Sequence, residues 1–166
     1  MTSPQPAPAP QSAAPTAWSE WLRYWSVVAA WLLVISTLSG DPFSATNTNR
    51  YLDPILRFLF PAITPSELAL AHTAMRKAAH FVEFFVLGSL LYWALRRGRP
   101  PRWQARLAVV ALVLAAVYAG ADELHQAFVP SRTSSLLDSG TDTLGAAVSQ
   151  VVIYLRHRLR RHAAGE

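Results

Sequence analysis

The chain contains no cysteine, which excludes disulfides and thiolate zinc sites and removes any redox clue to its compartment. It is also poor in charge: 15% of the residues are charged against 52% hydrophobic, far from the balance of a soluble domain. No internal repeat is evident, and 166 residues allow one domain at most. A secretory signal would need a basic n-region, and none precedes the first apolar run. With Trp18, Trp21 and Trp25 beside it, that run is expected to be a retained span rather than a cleaved peptide. The net charge of +5 does not indicate nucleic acid, because the basic residues sit beside apolar runs and not across a polar face.

What is present is a succession of apolar helices. Residues 1–16, with Pro4, Pro6, Pro8, Pro10 and Pro15, read as an extended, disordered tail. Residues 17–158 read as one transmembrane domain and 159–166 as a basic tail. The apolar runs Trp21–Leu38, Phe81–Leu95, Leu107–Ala121 and Leu144–Leu155 are short for the ~20 residues that cross a bilayer. Extended into their polar ends, as Lys77–Leu95, Leu107–Phe128 and Asp138–Leu155, the last three become long enough. Val27–Ile35 and Val109–Val117 are apolar almost all round, unlike the surface helices of a small soluble bundle. The expected fold is therefore an all-α integral membrane bundle of four transmembrane helices. A short interfacial helix, Ile55 to Phe60, is expected in the first outer loop, and Ser66 is expected to cap the second long helix.

Orientation follows from the arginines. Arg96, Arg97, Arg99, Arg102 and Arg106 crowd one loop, and Arg156, Arg158, Arg160 and Arg161 the C-terminus, which places both in the cytoplasm. Four spans then put both termini inside a bacterial cytoplasmic membrane. Asp41, Asp53, Glu67, Glu83, Asp122, Glu123, Asp138 and Asp142 all fall on the outer side. At about 1.5 Å per helical residue, Glu83, Asp122 and Asp142 stand about 20–24 Å outward of Arg96, Arg106 and Arg156. Ser36 and Thr37 reach a similar height from Arg23.

Ionisable groups in a membrane segment are costly and usually mark a site. Arg76, His80 and Glu83 share a helical stripe; so do Tyr118, Asp122 and His125, and Asp138, Asp142, Gly145 and Ser149 form a third. Their common depth predicts one outward-facing polar pocket. Each group also has a plainer role: Arg76 and Lys77 snorkelling, Asp138 capping the last helix, Gly145 packing.

At these residues the chain resembles the VanZ-like family of small bacterial membrane proteins, from about Ser36 to Gly145. The resemblance rests on Arg76-Lys77-Ala78-Ala79-His80-Phe81-Val82-Glu83-Phe84-Phe85, on Asp122-Glu123-Leu124-His125-Gln126-Ala127-Phe128-Val129-Pro130-Ser131-Arg132, and on Asp138 through Gly145. It implies that Lys77, His80, Glu83, Asp122, Glu123, His125, Gln126, Arg132 and Asp138 belong to the family's polar signature. Asp142 departs from it, standing where Asn is common; Ser131 stands where Gly is usual, and Ser149 often replaces Gly. The family is named for a protein linked to teicoplanin resistance, which implies an envelope or resistance role without supplying a reaction.

Three functions compete. The first is a non-enzymatic envelope protein binding an anionic amphiphile or glycopeptide-related ligand, with Lys77 and Arg132 holding phosphate or carboxylate. The second is a membrane enzyme acting on a lipid-linked phosphate, with His80 or His125 as base or nucleophile and Glu83 or Asp122 as orienting carboxylate. No cofactor is required, although His80, Glu83 and His125 with a further carboxylate could hold a divalent metal. The third is a proton-coupled transporter, for which the inner half offers only Ser89, Tyr92 and Gln150. The expected partners are the lipid bilayer and a lipid-linked or glycopeptide ligand.

Overall fold

The computed structural model describes residues 17–40, 45–97, 99, 102–128 and 136–163, and among these all regular structure is helical. Five helices follow in order: α1 (Ala17–Leu38), α2 (Ala45–Leu59), α3 (Pro65–Arg96), α4 (Ala105–Ala127) and α5 (Leu136–Ala163). Three are long and apolar enough to cross a bilayer, namely Trp18–Leu38 of α1, α3 and α4. α5 has the length at 28 residues, but Asp138 and Asp142 in its first turns and Arg156, Arg158, Arg160 and Arg161 in its last ones keep it outside that set.

The side-chain distribution is that of a protein whose exterior is oil. On α4, Ala111, Ala115 and Ala119 are fully buried while Val109, Val113 and Val117 face outward at 54–66% exposure. Both sets repeat every four residues, so one face packs closely through small side chains and the opposite one presents branched apolar surface. Leu33 of α1 and Leu144, Val151 and Leu155 of α5 are exposed in the same way.

α3 is the spine, touching every other helix, and its contact with α5 is the most extensive in the bundle. Two glycines set that closeness. A methyl group at Gly145 would collide with the Phe81 carbonyl, and one at Gly88 with Ser149 and the Ala146 backbone. Gln150 Nε2 then donates to the Gly88 carbonyl at 2.9 Å and Ser149 Oγ to the Ala146 carbonyl at 2.7 Å. α1 leans on α3 through Trp31 Nε1, which donates to the Glu83 carbonyl at 3.0 Å.

Two expectations about helix starts need correction. Thr64, not Ser66, is the N-cap of α3: the Glu67 amide donates to Thr64 Oγ1 and the Thr64 amide to Glu67 Oε2. Pro65 then takes the first helical position, where its missing N–H costs nothing. The loop helix is longer than Ile55 to Phe60. α2 begins at Ala45 and continues through Pro54, and Asp53 Oδ1 lies 2.8 Å from His72 Nε2 of α3. Its large side chains Tyr51, Ile55, Phe58 and Leu59 are all exposed.

Candidate functional site

Helix directions bring the polar ends together. α1 and α4 run one way, α3 and α5 the other, so the C-terminal ends of the first pair meet the upper halves of the second. Contacts confirm the register at successive levels: Arg76 with Asp138, His80 with Asp142, Ser39 with Asp122, and Ser36 with Tyr118.

At the centre are His80, Asp122 and Asp142, exposed by only 8%, 4% and 0%. Each offers a donor atom within 4.8 Å of the others. His80 Nδ1 lies 3.2 Å from Asp142 Oδ1, although the two do not align as a hydrogen bond. Among the described residues neither oxygen of Asp142 has a hydrogen-bond partner. Asp122 is held differently: its Oδ2 accepts from Ser39 Oγ at 2.8 Å and from Gln126 Nε2 at 2.8 Å. One layer outward, Asp138 receives Arg76 Nη2 at 2.8 Å, with Lys77 Nζ 3.8 Å from its other oxygen. Two cations therefore face one carboxylate.

The sequence candidates divide accordingly. Lys77, His80, Asp122, Gln126, Asp138 and Asp142 lie in these contacts, and buried Glu123 stands beside Asp122 on α4. Glu83 is half-buried, with its backbone carbonyl taken by Trp31. His125 is exposed and does not join the Asp122 stripe. On a 3.6-residue helix, three residues on from Asp122 is about 60° to one side and four residues on about 40° to the other. Burial of α4 selects the second side, so Gln126 enters and His125 leaves. The grouping of His80, Glu83 and His125 as donors gives way, in space, to His80, Asp122 and Asp142. Arg132 and Ser131 lie outside the described residues.

Ser39 and Arg76 are the residues undervalued by sequence. Ser39 continues the Ser36 position by three residues, a faint signal. Arg76 shares the His80 stripe yet reads equally well as a snorkelling surface cation, and it is instead paired at 27% side-chain exposure.

Below the polar layer lies an apolar cleft of about 370 Å³. Trp25, Val28, Ala29 and Leu32 of α1 form one wall, Leu114, Val117, Tyr118 and Ala121 of α4 the other, and Leu87 with Leu91 of α3 the floor. Its end toward the polar layer is closed by polar bonds: Ser36 Oγ is 2.8 Å from Tyr118 Oη, which donates to the Leu32 carbonyl at 2.9 Å.

A sequence profile of the VanZ/LLP1 family matches residues 20–157. The chain belongs to the VanZ/LLP1 family. No curated protein and no solved structure matches it. Five described helices, three of them apolar enough to span a bilayer, agree with a VanZ-family membrane protein.

Proposed function

We propose that this VanZ-family protein is a four-span protein of the bacterial cytoplasmic membrane that binds an anionic amphiphile from the outer leaflet. In this reading α5 is the fourth span, both termini are cytoplasmic, and α2 lies in the outer interface with its exposed aromatic side down. The observation that carries it is the stacking of the apolar α1–α4 cleft beneath the Arg76–Lys77–Asp138 layer. Phe84 meets Tyr118 at the cleft's outer end, and Lys77 sits two turns of α3 farther out, about 10 Å by helix rise. That is the separation of a lipid chain from a phosphate-sized headgroup. The surplus positive charge belongs to Lys77, whose side chain is 43% exposed and only loosely associated with Asp138.

A second reading, acid–base chemistry on a lipid-linked phosphate, is favoured by one specific contact, the buried pairing of His80 with Asp142. A proton path across the membrane has less support. The inner polar groups are engaged in local bonds: Ser89 donates to the Phe85 carbonyl, Tyr92 accepts from the Gln104 amide, and Gln150 donates to the Gly88 carbonyl.

Native mass spectrometry after reconstitution with equal phosphatidylglycerol and phosphatidylethanolamine tests the amphiphile reading. The wild-type chain is expected to retain the anionic lipid preferentially. Ala29→Trp, which fills the cleft from its rim, should lose it, and Lys77→Gln should lose the preference for negative charge. Equal retention of both lipids by all three proteins would overturn the reading.

A further inference from the structure

We infer that His80, Asp122 and Asp142 form a binding site for a divalent first-row transition-metal ion. The inference stands on the donor geometry of these three residues and does not rest on amphiphile binding.

Charge states the problem that a cation solves. Two carboxylates, both nearly or wholly sealed from solvent, approach within 4.8 Å of each other and of one imidazole. Buried like charges repel strongly at low dielectric, so they need a compensating positive charge in contact. Among the described residues Arg76 and Lys77 are drawn to Asp138 one turn away, which leaves His80, 3.2 Å from Asp142, as a cationic partner only when its ring is protonated. Two carboxylates and a neutral imidazole around a divalent ion sum to zero.

Satisfaction of polar atoms points the same way. Asp142 is fully buried, yet among the described residues neither its oxygens nor His80 Nδ1 has an aligned hydrogen-bond partner, although Nδ1 and Oδ1 lie 3.2 Å apart. Buried polar atoms are almost always hydrogen-bonded, and an ion seated between His80 and Asp142 would complete a contact that is close but not aligned. Asp122 looks prepared in the complementary way. Ser39 and Gln126 both donate to Oδ2, which fixes the carboxylate plane.

Distances and donor types narrow the ion. Ligands at about 2.1 Å from one metal lie up to about 4.2 Å apart, so the 4.8 Å cluster needs sub-ångström side-chain closure. One nitrogen and two carboxylates suit zinc, manganese or iron(II) better than magnesium or calcium, which prefer all-oxygen cages. With three protein donors among the described residues, a coordination position remains for water or an anionic ligand oxygen.

Zinc retention tests this on the full-length, tag-free protein. The purified chain is stripped with chelator, incubated with Zn²⁺, desalted, and assayed for metal by mass spectrometry beside its melting temperature. Wild type should retain about one ion per chain and melt higher when loaded. Asp142→Asn and His80→Gln should each retain less than about a tenth of that and show no melting shift, whereas His125→Ala should behave as wild type. Helix content and monodisperse elution establish that each variant is folded. If Asp142→Asn fails to fold, His80→Gln and the chelator dependence of wild-type melting still decide. Failure of folded wild type to retain zinc, or equal retention by His80→Gln, overturns the inference.

Discussion

α3 and α5 run side by side in one direction and α1 and α4 in the other, yet the first pair closes while the second parts. Between α3 and α5 the residues at closest approach are Gly88, Gly145 and Ala146, and the backbones nearly touch. Between α1 and α4 the bulky Trp25, Leu32, Leu114 and Tyr118 line an open cleft. In a bilayer no hydrophobic drive brings helices together, so side-chain size and hydrogen bonds decide which pairs close. The closed pair carries Arg76, Lys77, His80, Asp138 and Asp142, and the open pair adds Asp122 and Glu123. The open pair is hydrogen-bonded at its C-terminal end, where Tyr118 meets Leu32 and Ser36, and Asp122 meets Ser39. Small residues thus place charge, and large ones leave room for an apolar guest.

The sharpest way to break this contrast is to add the same bulk to each pair. Gly145→Leu meets the Phe81 backbone, which cannot rotate away, and should cost more than the ~1–3 kcal/mol of ordinary overpacking. Loss of monodisperse protein on gel filtration is the expected result. Ala29→Leu, on the open cleft wall, should elute and melt like wild type. Were both variants equally stable, closure of α3 on α5 would not depend on glycine.

A smaller effect is expected at the outer layer of the closed pair. Arg76→Gln removes a charge-assisted bond to Asp138 and should lower stability by about 1.5–3 kcal/mol, read as a lower melting temperature in detergent. Pairing with Asp138→Asn in a double-mutant cycle separates this bond from other effects of either change. On the open pair, Ser39→Ala removes one donor from Asp122 while Gln126 keeps the other, for about 1 kcal/mol. The least consequence is expected at His125→Ala. Its exposed ring should leave stability within about 0.5 kcal/mol of wild type, and a larger drop would return His125 to the polar layer.

Much of the helix layout could be read directly. Leu107–Ala121 falls inside α4, and Phe81–Leu95 inside α3, because a continuous apolar run has no stable alternative to helix in lipid. The cap of α3 lies two residues before the expected Ser66, and by residue type Thr64 and Ser66 are both competent caps. Only Thr64 lies three residues before Glu67 with Pro65 between, which completes the capping box. The candidate site was legible in its residue types. Its membership was not, since residues three and four apart diverge by about 100° around a helix.

The sequence by itself determined that this chain is helical, apolar on its outside, and charged at matched heights along its helices. Composition and 1.5 Å rise are properties of each helix alone, so no neighbour is needed to read them. Only the tertiary structure decided that Ser39 reaches Asp122, that Arg76 holds Asp138, and that His80 faces Asp142 while His125 turns outward. Rotation of one helix against the next is set by which small residues meet at the contact, and that is a property of pairs.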